Sequence, residues 1–448
     1  MSLINLSAAE PRELRRLNDL GPYLGVFYGM PQPGLPRFGH GGDLFRLLTR
    51  LSPGRGLFTY VFTPESLVPA ETLAKVTKGT AYSTGADADA AATDSTSGAA
   101  TGLAPQVAGW FHDGREWTRA LFPWPDVLYD RSIADTDADN RILAWARSQF
   151  PPGLPALNSW PLVLGVEDKW LTNSVFASVP EARPFLPAMS LCRSMADVRD
   201  MLWRHGAVVL KERYGHKARR VAFVRREDET AAGIASPGSV PHGATAVEAA
   251  PRFAYVRDAG GRRQDRAAGL TWAGLAAVLE AHVAGGEFLV QQAIDRARFQ
   301  GRHIELRVVM HKAVDHAPAA PTAPCHGRWL RTGMVCRLTD PDLPFLALGR
   351  ELDLRPSAVL PAVFGTRRAE ELLDQVRSLV RLVNVLEERT GPGAELAMDF
   401  MIDARAHPWL LEVNTRPAML LKATESEHLR RQGALRLLEY ARCLVETS

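Results

Sequence analysis

The sequence predicts an α/β protein in which strands alternate with helices and antiparallel pieces appear towards the end. Three observations carry this reading. Short apolar runs of strand length, such as AVVLKE (207–212) and EFLVQQAI (287–294), are separated by stretches with helical spacing, such as LTWAGLAAVLEAHVAGG (270–286). Hydrophobic residues make up 46% of the chain and charged residues 23%, ordinary globular values that exclude a wholly disordered or collagen-like protein. At roughly 150 residues per domain, 448 residues suggest two or three domains.

In the first region, LGVFYG (24–29), GLFTYVFTP (56–64) and DVLYD (126–130) read as strands, and DLFRLLTRL (43–51) as a helix. VAGWFHDGREWTRAL (107–121) reads as a hairpin around Asp113-Gly114, a two-residue turn signal. The Ala/Thr/Ser/Gly/Asp stretch near 78–105 lacks hydrophobic periodicity and reads as a disordered loop. A Pro-rich join (151–161) leads to a helix at 194–206 with a Ser N-cap and a closing Gly206. Strands follow at 207–212, 221–226, 252–258 and 287–294, with a loop at 227–250 and a helix at 270–286. The third region holds strands at 303–311, 328–338, 395–403 and 408–415, one long helix at 367–391 and a last helix at about 425–445.

Charge excludes some functions. A net charge of +3, from 53 Lys+Arg against 50 Asp+Glu, demands neither a nucleic-acid nor an anionic-membrane partner. No apolar run approaches the ~18 residues of a membrane helix, and the polar N-terminus shows no secretory signal. Cys192, Cys325, Cys336 and Cys443 form no CxxC pair and no disulfide framework, so a reducing cytoplasm is expected. His311, His316, Cys325 and His326 fit no standard zinc spacing.

The chemistry concentrates in ELAMDFMIDARAHPWLLEVNTRP (395–417). A hairpin register centred on a turn at 404–407 sets Asp399 opposite Glu412. Period-two alternation puts Glu412 and Asn414 on one face, with Leu411 and Val413 on the other. Two carboxylates and an amide oxygen then converge. Like charges that close call for a cation, and hard oxygen donors suit Mg²⁺. A solvated hairpin face explains the same pattern, and spacing alone leaves both readings open.

Seven lysines stand against 46 arginines, so a lysine at a motif position stands out. Lys211 ends the 207–212 strand run and can present a point charge to a phosphate, as can Lys169 in EDKW (167–170). A solvent-facing lysine is the plain alternative for each. In HIELRVVMH, Ile304, Leu306, Val308 and Met310 form an apolar face, while Glu305 and Arg307 share the other. The planar fork of Arg307 suits a phosphate or acyl-phosphate. An ordinary salt bridge with Glu305 or a neighbour is its alternative.

Together these residues resemble the ATP-grasp superfamily over about residues 165–420. LLEVNTRP looks like its metal-binding strand and Asp399 like the preceding carboxylate. Lys169 and Lys211 look like the two nucleotide-phosphate lysines. EFLVQQAI looks like the hinge strand, where backbone around Gln292 and Ala293 meets adenine. More narrowly, PDVLYDRS (125–132), EDKW, FLPA (185–188), ELRVVMHK (305–312) and WLLEVNTRP (409–417) look like the YheC/YheD family, endospore-coat-associated ATP-grasp proteins of sporulating bacteria. Asp126, Tyr129, Asp130 and Arg131 match its N-terminal signature, although a strand end packing on the next domain is a simpler account of them.

The resemblance implies an N-terminal α/β pre-ATP-grasp domain (1–150) and an ATP-grasp fold binding nucleotide between two α+β lobes (151–294, with lid and hinge, and 295–448). It implies ATP and Mg²⁺ as cofactors, with Lys169 and Lys211 on the phosphates and Asp399, Glu412 and Asn414 on the metal. It further implies ligation of a carboxylate to an amine through an acyl-phosphate, with Arg307 stabilising the transferring charge; neither substrate is named. One departure stands out. The lid segment RYGHKARRVAF (213–223) holds a single glycine, Gly215, where backbone N–H groups should approach the phosphates. Its basic residues, His216, Lys217, Arg219 and Arg220, either replace that cradle or leave a weaker grip. Two other expectations therefore stand: a catalytically weak structural or interaction protein with spore-coat partners, and a glutathione-synthetase-like or peptide-tailoring ligase.

Overall fold

Five strands, β1 (Tyr23–Phe27), β2 (Phe58–Phe62), β3 (Gln106–His112), β4 (Trp117–Pro123) and β5 (Val127–Asp130), form the first sheet in the order β4-β3-β2-β1-β5. The computed structural model describes residues 22–29, 38, 41–67, 106–134, 136–214, 220–227, 251–258, 264–314, 325, 327–339, 352–417 and 427–448. The stretches at 78–105 and 228–250 lie outside them. β1 runs parallel to both neighbours and is buried throughout, as expected for a parallel strand covered on both faces. The β3–β4 turn is a four-residue loop, 113–116, rather than the two-residue turn that Asp113-Gly114 suggests. The Asp113 carboxylate explains the difference, accepting the N–H groups of Arg115 at 2.7 Å and Glu116 at 2.8 Å. Helices α1 (Gly42–Leu51) and α2 (Asp137–Ser148) pack on this sheet.

Two helices follow the Pro-rich join, α3 (Trp160–Glu167) and α4 (Lys169–Ala177). They are too short to show a clear period. Asp168 separates them, ending α3 and capping α4. The second sheet comprises β6 (Met189–Cys192), β7 (Ala207–Glu212), β8 (Ala222–Glu227), β9 (Arg252–Asp258), β10 (Gln264–Leu270) and β11 (Phe288–Gln292), in the order β10-β9-β8-β7-β11-β6. All its pairs are antiparallel. Helices α5 (Met195–His205) and α6 (Trp272–Val283) close its core. Ser194 and Asp197 form a capping box at the start of α5, and Gly206 ends it at φ 72°.

The third sheet holds β12 (Arg298–Phe299), β13 (Arg302–Val314), β14 (Gly327–Thr339), β15 (Leu352–Leu354), β16 (Glu395–Ile402) and β17 (Pro408–Asn414), in the order β15-β14-β13-β16-β17 with β12 on β13. It too is wholly antiparallel, so parallel pairing is confined to the first sheet. Its two faces differ sharply. Ile304, Leu306, Val308 and Met310 join Met398 and Phe400 in one apolar face, packed under α7 (Pro356–Phe364), α8 (Thr366–Leu379) and α9 (Leu382–Thr390). Helices α3 and α4 contribute Leu162, Val166, Val175 and Phe176 to the same core. The long helix read at 367–391 is thus two helices. Val380 and Arg381 keep helical φ with ψ of −18°, a tighter turn, and Leu379 and Leu382 remain buried on either side.

The other face of the third sheet is polar and buried. At one end Glu395, fully shielded from solvent, accepts the Tyr129 hydroxyl at 2.6 Å and Arg131 Nη1 at 2.8 Å, both from the first sheet. His311 lies 3.3 Å from its other oxygen. The last helix, α10 (Glu427–Thr447), crosses here, and Gly433 permits it: a Cβ would stand 2.9 Å from His311 Cε1. Leu437, Leu438, Tyr440 and Ala441 of α10 then pack with Leu44, Phe45 and Leu48 of α1. Among the described residues no helix is long and apolar enough to cross a membrane.

Burial alone would raise the pKa of Glu395, but Arg131, helped by His311 and Tyr129, holds it below the ordinary carboxylate range. A depressed folded-state pKa adds stability above the unfolded value and loses it as pH falls through the folded one. Glu395→Gln is therefore expected to cost about 3–5 kcal/mol at neutral pH by stranding Arg131. Urea unfolding at pH 7 and pH 3 tests this: the gap between wild type and variant should narrow at the lower pH.

Candidate active site

The β16–β17 hairpin sets Asp399 directly opposite Glu412. One bulge interrupts the pairing, because Phe400 faces Leu410 and leaves Leu411 as the extra residue. Period-two alternation is broken at that point. Leu410 and Val413 enter the core, whereas simple alternation places Leu411 there with Val413. Beyond the bulge Asn414 stands opposite Ala397. Its amide nitrogen bridges the two carboxylates, 2.9 Å from Asp399 Oδ2 and 3.3 Å from Glu412 Oε1.

On its other side Asp399 meets Arg307 of β13. The guanidinium grips the carboxylate with both arms, Nε to Oδ1 at 2.6 Å and Nη2 to Oδ2 at 2.5 Å. Burial pushes Asp399 up, but Arg307 outweighs it and the carboxyl stays below its usual range. The ionic partner of Arg307 is therefore Asp399 and not Glu305. Glu305 pairs instead with Arg337 across β14, and its burial raises its pKa.

The two lysines approach from different elements. Lys169 is the first residue of α4, and Lys211 lies near the end of β7. Burial lowers the pKa of both, to about 8 for Lys211. The Glu412 carboxylate opposes the shift at both, and Lys169 adds to it at Lys211. The charge of Glu412 on the third sheet thus favours the charged form of a lysine on α4 and of one on the second sheet.

At the hinge strand, the Gln292 N–H donates to Ala188 O at 2.8 Å and the Ala293 N–H to Ala207 O at 3.1 Å. The donors at these two positions are committed to the protein's own backbone. Of the basic lid residues, Arg220 is tied to Glu212 and to the carbonyls of His282 and Ala284, which takes it out of a phosphate cradle. Gly215, His216, Lys217 and Arg219 lie outside the described residues.

The donor set suits Mg²⁺. Among the described residues, no group of three or more His, Cys, Asp or Glu side chains is gathered for a metal. Two carboxylates and one amide are what remains, a hard-donor set that leaves coordination positions for phosphate oxygens and water. The Asn414 amide nitrogen softens the repulsion between the carboxylates. The loose His/Cys cluster is dispersed. His311 is enclosed with Glu395 and Thr332, and His316 and His326 lie outside the described residues. Cys325 is bonded to Cys443, a pairing the sequence reading does not anticipate; a separation of 118 residues leaves no local spacing to read.

Sequence reasoning misses Arg416. It follows Asn414 by two residues and ties Asp130 Oδ2 at 3.1 Å to Glu167 Oε1 at 2.9 Å. It therefore joins the N-terminal signature to the carboxylate strand and to the residue two before Lys169. Only the NTRP motif hints at it, since Asp130 lies 286 residues away.

Two antiparallel sheets, one carrying Lys211 and the other Asp399 and Glu412, give the fold of the ATP-grasp class. Within that class the chain belongs to the YheC/D-like ATP-grasp family, whose model matches residues 162–444. It is 22% identical over 347 residues to the endospore coat-associated protein YheD of Bacillus subtilis (strain 168), covering 76% of this chain and 67% of that protein. Among solved structures it is similar to D-alanyl-alanine synthetase A of Vibrio cholerae O1 biovar eltor, at 11% identity and a TM-score of 0.47, covering 94% and 99% of the two chains. It is similar also to the ATP-grasp ligase PsnB complexed with minimal precursor, at 12% identity and a TM-score of 0.43, covering 92% and 97%.

Removing one partner of a buried ion pair strands the other. Arg307→Met is expected to destabilise the protein by about 3–5 kcal/mol, and Arg307→Met/Asp399→Leu to recover most of that loss. Urea unfolding of the two variants checks it.

Proposed function

We propose that the chain is an ATP-dependent carboxylate–amine ligase working through an acyl-phosphate. The observation that carries this reading is the cluster of Asp399, Glu412 and Asn414, whose Glu412 charge acts on both Lys169 and Lys211. Residues 1–150 form the N-terminal domain, 151–294 the lobe with lid and hinge, and 295–448 the C-lobe. Adenine lies against the end of β11, where carbonyls and the residues after Ala293 supply the contacts that the engaged Gln292 and Ala293 N–H groups cannot. Lys169 and Lys211 hold the phosphates. Asp399, Glu412 and the Asn414 oxygen would hold Mg²⁺, which when bound neutralises phosphate charge.

A substrate carboxylate oxygen attacks the γ-phosphorus, the bond to the β–γ bridging oxygen breaks, and ADP leaves. Arg307, with Nε and Nη2 held by Asp399, turns its Nη1 end to the transferring phosphoryl group and stabilises its charge. An amine then attacks the acyl carbon, phosphate departs, and the nitrogen gives up its proton. No protein nucleophile is needed.

A second reading, a coat-associated interaction protein with weak catalysis, is favoured by the Cys325–Cys443 bond, since disulfides persist in oxidising settings rather than in the cytoplasm. Calorimetric titration with a non-hydrolysable ATP analogue and Mg²⁺ separates the two. The ligase reading requires saturable binding that Glu412→Ala/Asn414→Ala abolishes in folded protein, with ADP production falling on the order of 100-fold. No binding at millimolar nucleotide leaves the coat reading.

Lys211 supplies a second test. Burial holds its pKa at about 8, and a phosphate beside it favours the charged form and raises that value. Binding near pH 8 should therefore take up protons, seen as a binding enthalpy that varies with the ionisation enthalpy of the buffer. Lys211→Met should remove that dependence.

A further inference from the structure

We propose that Asp168 and Arg213 form an interlobe latch, a positioning pair that sets the two phosphate lysines at their working separation. The proposal rests on the reading of Lys169 and Lys211 as nucleotide-phosphate ligands. Asp168 falls within 151–294 along the chain but packs with the C-lobe, because the helix it caps buries Val175 and Phe176 in the core under the third sheet. Arg213 follows β7, whose Val208 and Leu210 lie in the separate core of the second sheet. Four hydrogen bonds cross between the two sides, one of them from the Tyr214 hydroxyl to Asp168 Oδ2 at 3.4 Å. Arg213 Nε reaches Asp168 Oδ1 at 2.9 Å, Arg213 Nη2 reaches Oδ2 at 2.6 Å, and the Lys169 N–H donates to Arg213 O at 3.1 Å.

Each half of the latch is fixed from its own side. Asp168 Oδ1 also accepts the N–H groups of Trp170 at 3.0 Å and Leu171 at 3.1 Å, which locks the carboxylate to the first turn of α4. Arg213 is held in its own lobe by Glu287, through Nη1 to Oε2 at 2.9 Å and its backbone N–H to Glu287 O at 2.8 Å. Asp168 is adjacent to Lys169, and Arg213 lies two residues beyond Lys211. Any movement that parts the pair therefore parts the lysines.

The lysines need such a constraint. Two ammonium groups repel, and the charge of Lys169 already disfavours the charged form of Lys211. Glu412 attracts both from within the site, and the latch opposes their separation at its rim. The pair is partly exposed, with 23% of the Arg213 side chain and 11% of Asp168 accessible. Rim pairs add little to global stability, so loss of the latch should be read in geometry and affinity rather than in melting temperature.

Asp168→Asn keeps an oxygen for the helix cap while removing the charge, and Arg213→Gln removes the fork from the other side. Each should weaken binding of a non-hydrolysable ATP analogue roughly tenfold. The double variant should lose no more than either single, the mark of a coupled pair. Arg213→Lys should restore part of the affinity. Independently of nucleotide, amide hydrogen exchange of the ligand-free variants should quicken around Lys169 and at the end of β7, while β13 exchange and melting temperature stay at wild-type values. Unchanged exchange with unchanged affinity overturns the latch, and so do additive losses in the double variant. If wild-type protein binds no nucleotide, the ligase reading fails instead, and exchange at Lys169 still decides the latch.

Discussion

Asp399 and Glu412 face each other across β16 and β17, with Asp399 fully shielded from water. Two carboxylates that close repel unless something positive or hydrogen-bonding stands between or beside them. The neighbouring elements answer that need from every side. β13 brings Arg307 onto Asp399, β17 brings the Asn414 amide between the carboxylates, and α4 and β7 bring two lysines towards Glu412. Glu412 opposes the effect of burial on both lysines. In the function proposed above, a polyphosphate would give the lysines negative charge and its cation would give the carboxylates positive charge.

The frame is held from outside the two lobes as well. Glu395 gathers Tyr129 and Arg131 of the first sheet, and Arg416 gathers Asp130 and Glu167. Ion pairs buried this deeply are poor sources of net stability, but they are intolerant of the wrong partner. They fix how the N-terminal sheet meets the C-lobe, and with it the position of the strand that carries Glu412 and Asn414. The signature residues Asp130 and Arg131 thus orient the strand that carries Glu412 and Asn414. The packing account of this signature agrees with these contacts between the first sheet and the C-lobe.

Much of the site is legible because it is local. Period-two alternation separates Ile304, Leu306, Val308 and Met310 from Glu305 and Arg307, and a short turn is enough to pair Asp399 with Glu412. Alternation fails at Leu411, since a bulge inserts one residue without any sign in composition. Short helices such as α3 and α4, of 8 and 9 residues, escape a periodicity test because little more than two turns does not establish a face. The break between α8 and α9 leaves no sequence mark either, having neither proline nor glycine at Val380-Arg381.

The sequence by itself determines which residues carry charge, which strands have a polar face, and the order in which lysines, arginine and carboxylates come along the chain. Those follow from short-range spacing and side-chain chemistry. Only the tertiary structure decides who pairs with whom. Arg307 had Glu305 two residues away and took Asp399, 92 residues distant, because adjacent antiparallel strands face cross-strand partners and not their own i+2 neighbours. Cys325 found Cys443, Arg416 found Asp130, and Arg213 found Asp168 for the same reason: packing of separate sheets and helices brings together groups that no spacing along the chain relates.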